Sequence, residues 1–194
     1  MNTQEVSKST EWQIHENINK FDIDNIVKDV ISFKDQWYLD ESRQNGTPTH
    51  KDTQMYQVRF LSYDWEPGID PEPIDVNHFS NDLAKKEFDQ MCKYLEDFYN
   101  SKVVRVEIIN MKPNSNIPPH VDSSTMLYLA RRVHVPLVSN KNVFFTVFNK
   151  TINMEVGKWY EINNYLPHSV KNNSDQDRIH AIIDLLPNKY FKEQ

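Results

Sequence analysis

Ile117-Pro118-Pro119-His120-Val121-Asp122 decides how this chain reads, and Leu166-Pro167-His168-Ser169-Val170 answers it, with the second histidine forty-eight residues after the first. In an extended segment residues two apart point the same way, so His120 and Asp122 can reach one ion while Val121 packs behind them. A third ligand must come from a strand laid alongside, and His168 is the candidate. Two histidines and one carboxylate form the facial triad that covers one side of a non-haem Fe(II) and leaves the other side open. His-x-Asp alone is a weak signal in a chain with seven histidines, so the surrounding residues must decide.

Length and composition narrow the field. The 194 residues suit one domain with a sizeable core. A net charge of −6 and a sequence pI of about 5.6, with no Lys/Arg-rich run, argue against a nucleic-acid partner. The opening Met1 to Lys8 lacks the apolar segment of a signal peptide, and no apolar stretch reaches membrane-spanning length. No membrane association is therefore expected, and the expected location is the cytoplasm. A single cysteine, Cys92, excludes an internal disulfide framework and a thiolate zinc site; on the apolar side of a helical pattern it reads as a small buried hydrophobe. The glycines are Gly46, Gly68 and Gly157 only, too few for a phosphate-cradling loop, and no Gly-x-Ser-x-Gly elbow is present.

Working outward, residues 1 to about 10 are polar and expected to be loose, and Trp12, Ile14 and Ile18 suggest a short edge strand. Asp22 can cap a helix with Ile23, Ile26, Val27, Val30 and Ile31 on one face. Residues 40–54 read as a polar loop, in which His50 is taken as an exposed loop histidine rather than a substrate contact. Met55 to Tyr63 alternates like a strand, and residues 64–75 carry Pro67, Gly68, Pro71 and Pro73 and must be irregular. A second helix is expected from Ser80, as its cap, to Asn100, with Leu83, Phe88, Met91, Cys92, Leu95 and Phe98 on its apolar side. The second half turns to short strands at Val103 to Ile109, Leu127 to Val138, Val143 to Phe148 and Ile179 to Leu186, with a proline-punctuated loop at residues 113–119. Ile152 to Val156 and Trp159 to Ile162 are expected to form a hairpin across Gly157-Lys158. This pattern predicts an α+β, mainly β, fold: residues 101–187 as a jelly roll (double-stranded β-helix), with residues 1–100 supplying helices packed on one sheet.

Two further features belong with the triad. Arg178 opens the last strand, ten residues after His168, and Arg132 and His134 share one face of the strand that follows His-x-Asp. If Val133 and Val135 face the helices or the other sheet, Arg132 and His134 face the cavity. Guanidinium groups directed into a barrel require an anionic guest or a carboxylate partner, and the fork of arginine matches a dicarboxylate cosubstrate. The plainer readings are that Arg178 pairs with Asp175, Asp177 or Asp184, that Arg132 pairs with Glu107, and that His134 and His180 are core histidines. Tyr128, Trp159 and Tyr165 could line a substrate pocket or simply pack.

Together, residues 117–122, Arg131 to Leu137, Gly157 to Asn163, Leu166 to Val170 and Asp177 to Asp184 resemble the aspartyl/asparaginyl β-hydroxylase family of Fe(II)/2-oxoglutarate oxygenases. Within it the motifs are most similar to those of bacterial cis-4-proline hydroxylases. The resemblance covers a little under half of the chain. It implies that His120, Asp122 and His168 hold Fe(II), that Arg178 binds the distal carboxylate of 2-oxoglutarate, and that Arg132 and His134 also contact this cosubstrate. It further implies a dioxygen-using hydroxylase acting on an amino acid, free or within a peptide. Animal members of the family carry glycine at the motif carboxylate, whereas this chain keeps Asp122. The competing readings are a cupin-like protein holding another divalent metal without oxygen chemistry, and a metal-dependent isomerase or hydrolase. Nothing in the pattern sets an oligomeric state.

Overall fold

Two antiparallel sheets make up the body of the protein, whose structure, a computed structural model, describes residues 12–15, 20–38, 41–46 and 48–192. The expected loose N-terminal tail and Ile18 lie outside the described residues. In chain order the elements are strand β1 (Trp12–His15), helix α1 (Ile23–Ser32), the short helix α2 (Ser42–Gly46), β2 (Thr53–Phe60), β3 (Ile74–Asp75), α3 (Asp82–Tyr99), β4 (Ser101–Met111), β5 (Ser115–His120), α4 (Thr125–Leu129), β6 (Arg131–Val138), β7 (Val143–Val147), β8 (Lys150–Ile152), β9 (Trp159–Ile162), β10 (His168–Asn172) and β11 (Arg178–Pro187). The large sheet runs β1-β9-β6-β11-β4-β2-β3 and the small one β5-β10-β7-β8. The architecture is the expected jelly roll with helices on one sheet.

The helices sit where their apolar stripes send them. The Asp22 carboxylate accepts from the Asn25 N–H and caps α1, which buries Ile23, Ile26 and Val30. Helix α3 buries Ala84, Phe88, Met91, Leu95 and Tyr99 against the same core. Its cap is Asn81, which accepts from the N–H groups of Leu83 and Ala84. Ser80, the expected cap, is instead bonded through its N–H and Oγ to buried Asp29 of α1. The phase of α3 also turns Leu83 and Phe98, expected on the apolar side, outward. Cys92 packs against the core, and burial raises its thiol pKa. Beneath the helices lie Val106 and Ile108 of β4, Val133, Val135 and Leu137 of β6, and Ile179, Ala181, Ile183 and Leu185 of β11.

Three expectations for the strands are corrected. Residues 127–138 are not one strand: the Ser124 hydroxyl accepts from the Leu127 N–H and caps the single turn α4, which buries Met126 and Leu127 before β6 begins. Most of the proline-punctuated loop is β5, an edge strand of the small sheet, where missing proline N–H groups cost no ladder bonds. The expected hairpin does not form. Instead β8 pairs with β7 in the small sheet and β9 with β6 and β1 in the large one. Gly157, at φ 89°, makes the turn that carries the chain between the sheets.

Candidate active site

The sheet register builds the site. Strands β5 and β10 run antiparallel with His168 directly opposite His120, and their ring centroids lie 4.3 Å apart. Asp122 follows the end of β5 by two residues, and its N–H donates to the Asn164 carbonyl at 3.2 Å. The Asp122 carboxylate lies 3.9 Å from His120 Nε2 and 3.7 Å from His168 Nε2. Ligand atoms of the three residues all fall within 4.8 Å of one another.

The donor set fits a divalent metal on a second count. His120 Nδ1 donates to the Pro118 carbonyl at 2.9 Å, and His168 Nδ1 donates to the Leu166 carbonyl at 3.0 Å. Each ring therefore has a proton on Nδ1 and turns Nε2 towards Asp122, so that in its neutral form Nε2 is the coordinating nitrogen, the tautomer a metal ligand needs. Burial lowers the His168 pKa, partly opposed by Asp122, so the ring stays neutral. Burial alone would raise the Asp122 carboxyl, but the Arg132 guanidinium, followed by His168, overrules it and holds the group below the usual carboxylate value.

A cavity opens from these residues into the jelly roll, and its lining includes His134, Phe145, Val170, Ile182 and Arg178. Arg178 is 1% exposed and donates from Nη2 to His180 Nδ1 at 2.8 Å. A guanidinium only donates, so neutral His180 carries its proton on Nε2, and that N–H has no hydrogen-bond partner among the described residues. His180 is therefore the core histidine that Arg178 leans on. Asp177 pairs with Lys34, and Asp184 with Arg132. His134 is 4% exposed, and neither of its ring nitrogens has a partner among the described residues. Burial, then Arg178 and Arg132, drives its pKa well down. A buried imidazole with both nitrogens orphaned in a cavity wall is a group waiting for a guest.

Arg132 lines the cavity but is engaged elsewhere: its Nε and Nη2 grip the two Asp184 oxygens at 2.8 Å each, and Nη1 donates to Asp122 Oδ2. Glu107, the acid that the plainer reading paired with Arg132, accepts from Arg105.

The lining also holds residues that sequence reasoning passed over. Tyr63, Arg105, Glu107 and Leu127 line the cavity together with His50. The Arg105 guanidinium lies 4.4 Å over the Tyr63 ring, whose hydroxyl pKa burial pushes up to about 12. Arg105 and Glu107 alternate with Val104, Val106 and Ile108, the same period that singled out Arg132 and His134, so the signal was present. His50, expected as an exposed loop residue, ends a turn of 3₁₀ helix (Pro48–His50), and its ring stands edge-on to His120 with centroids 5.3 Å apart. Trp159 is buried under the helices, away from the cavity, and Tyr128 and Tyr165 pair with each other, 4.5 Å apart, without lining it.

The sequence profile described as aspartyl/asparaginyl beta-hydroxylase matches residues 23–187. The chain belongs to this family. Among its relatives is the L-proline cis-4-hydroxylase of Rhizobium meliloti (strain 1021), 28% identical over 121 residues. That match spans 60% of this chain and 43% of the relative, so the chain covers less than half of that protein's length. The fold is shared with a prolyl hydroxylase from Trichoplax adhaerens, solved with a hypoxia inducible factor oxygen degradation domain peptide fragment, at TM-score 0.59 and 12% identity over 93% of this chain and 85% of the other. It is also shared with the viral collagen prolyl hydroxylase of Paramecium Bursaria Chlorella virus-1, solved with 2OG, at TM-score 0.57 and 8% identity over 94% and 99%. No helix among the described residues is long and apolar enough to cross a membrane.

Proposed function

We propose that this family member is an Fe(II)- and 2-oxoglutarate-dependent dioxygenase that hydroxylates an unactivated C–H bond of an amino acid, either free, such as proline, or in a peptide. One observation carries the reading. The two Nε2 atoms and one carboxylate converge on a cavity whose lining holds the buried Arg178 and also His134, which has no hydrogen-bond partner among the described residues.

His120, Asp122 and His168 would hold the iron, and Arg178 would take the far carboxylate of the keto acid, with His134 as a further polar contact. When bound, the ferrous ion and 2-oxoglutarate would supply the oxidising power drawn from dioxygen, with succinate and CO₂ as by-products. The chain itself keeps the His168 imidazole neutral, keeps Asp122 ionised and lines the space around Phe145, Val170 and Ile182 with apolar groups that exclude water. Around the cavity, the charges of Arg105, Arg132 and Arg178 are matched by those of Glu107, Asp122 and Asp184. Ferrous iron and the doubly charged keto acid also cancel. The balance left for the substrate is zero, which favours a net-neutral guest such as a zwitterionic amino acid or an uncharged peptide segment.

Thermal melting with Mn(II), with 2-oxoglutarate, and with both tests the site: stabilisation that needs both supports the oxygenase, and none with the pair refutes it. Free amino acids and short peptides screened by mass for the gain of one oxygen then identify the substrate.

A further inference from the structure

The Arg-x-His pair was expected to serve the cosubstrate as a unit, yet its two members have different surroundings. The His134 nitrogens have no hydrogen-bond partners among the described residues, whereas all three nitrogens of Arg132 are engaged by carboxylates. We infer that Arg132 is a positioning residue for the metal-binding carboxylate of Asp122, anchored from behind by Asp184, and not part of the cosubstrate clamp.

Register makes the anchor firm. Asp184 of β11 stands directly opposite Arg132 of β6, is 1% exposed, and meets a second guanidinium, Arg105, at 3.7 Å. Both of its oxygens take the Arg132 fork, which fixes the guanidinium plane. The remaining nitrogen, Nη1, then reaches Asp122 Oδ2. Asp122 needs such a hold. It lies beyond the last paired residue of β5, and its backbone N–H donates to the Asn164 carbonyl. His120 and His168 are each oriented by a backbone carbonyl two residues back. The Arg132–Asp184 pair does for the carboxylate what those carbonyls do for the imidazoles. Outer partners of this kind tune metal affinity without touching the ion.

This role rests on the metal reading above, and its test separates the two. Mn(II) affinity would be measured from the free-ion EPR signal, and 2-oxoglutarate affinity by calorimetry at saturating Mn(II), for the wild type, Arg132→Lys, Asp184→Asn and Arg178→Met. Lysine keeps the charge but cannot grip Asp184 and reach Asp122 together. Arg132→Lys should weaken Mn(II) by about 10–100-fold while 2-oxoglutarate affinity stays within about twofold of wild type. Asp184→Asn should shift both readings the same way by less, and it carries the comparison if circular dichroism shows Arg132→Lys unfolded. Arg178→Met should show the opposite split. Loss of 2-oxoglutarate affinity with Mn(II) affinity kept, or no change in either, would overturn the positioning role. A wild type that binds Mn(II) but never 2-oxoglutarate would sink the oxygenase reading and leave the metal arm standing.

Discussion

The two faces of the large sheet share strands and burial but not chemistry. Along β4, β6 and β11 the side chains are buried almost without a break. Towards the helices they are Val106, Ile108, Val133, Val135, Leu137, Ile179, Ala181, Ile183 and Leu185. Towards the small sheet they include Arg105, Glu107, Arg132, His134, Arg178, His180 and Asp184, all at most 7% exposed. The first face gains stability by removing apolar area from water. The second spends part of that gain on desolvating charges, which a fold seeking stability alone would replace with hydrocarbon. Buried ionic pairs set around a cavity are the sign of a site, so the comparison predicts that damage to one face will be felt as lost function and to the other as lost stability.

The largest effect should come at the cavity rim. His168→Ala removes one of the two Nε2 donors, so Mn(II) binding should fail in the EPR titration and 2-oxoglutarate consumption drop to background, with the melting temperature little changed without metal. Turnover that survives would break the assignment of this face. Next comes the helix side. Leu185→Ala opens space in a fully buried position and should cost about 2–5 kcal/mol by urea unfolding, while Mn(II) affinity of the folded fraction stays at the wild-type value. Third is Arg178→Met, which removes charge-assisted hydrogen bonds worth about 1.5–3 kcal/mol. Cosubstrate affinity should fall about 10–100-fold, and an unaltered titration would remove Arg178 from the clamp.

The helix-facing side was the more legible in sequence because apolar periodicity encodes it directly. The stripes of α1 and α3 and the alternation in β4, β6 and β11 needed only a count of residues. What escaped depended on partners far along the chain. Period 2 put Arg132 on the interior face but could not say which acid would meet it. The register sets Glu107 across from Ile182 and Asp184 across from Arg132, fifty-two residues away. The candidate metal ligands were readable because their spacing is local for two of them and their chemistry is unusual in an interior. His50 was not, since a turn packed beside β5 leaves no periodic trace. The turn α4 was mistaken for strand because Met126, Leu127 and Leu129 are apolar in either conformation, and five residues are too few to show a helical period.

The smallest effect expected is a pH dependence that belongs to the cavity side. Burial first, and then Arg178, holds His134 and His180 far below the usual imidazole value of about 6.5. In the unfolded chain both return to that value. Below it the unfolded state therefore binds protons that the folded state refuses, and stability falls as pH falls from about 6.5. Above it both states are neutral and the contribution is complete. Each such group steepens the loss by up to about 1.4 kcal/mol per pH unit. Urea midpoints of the metal-free protein between pH 7.5 and 5.5 should fall accordingly, and His134→Leu should flatten the fall by one proton's worth. Leu185→Ala should lower the whole curve without changing its slope, because nothing it touches on the helix side takes up that proton. Equal slopes for His134→Leu and wild type would mean that His134 accepts a proton in the folded cavity, and the contrast between the faces would lose its electrostatic half.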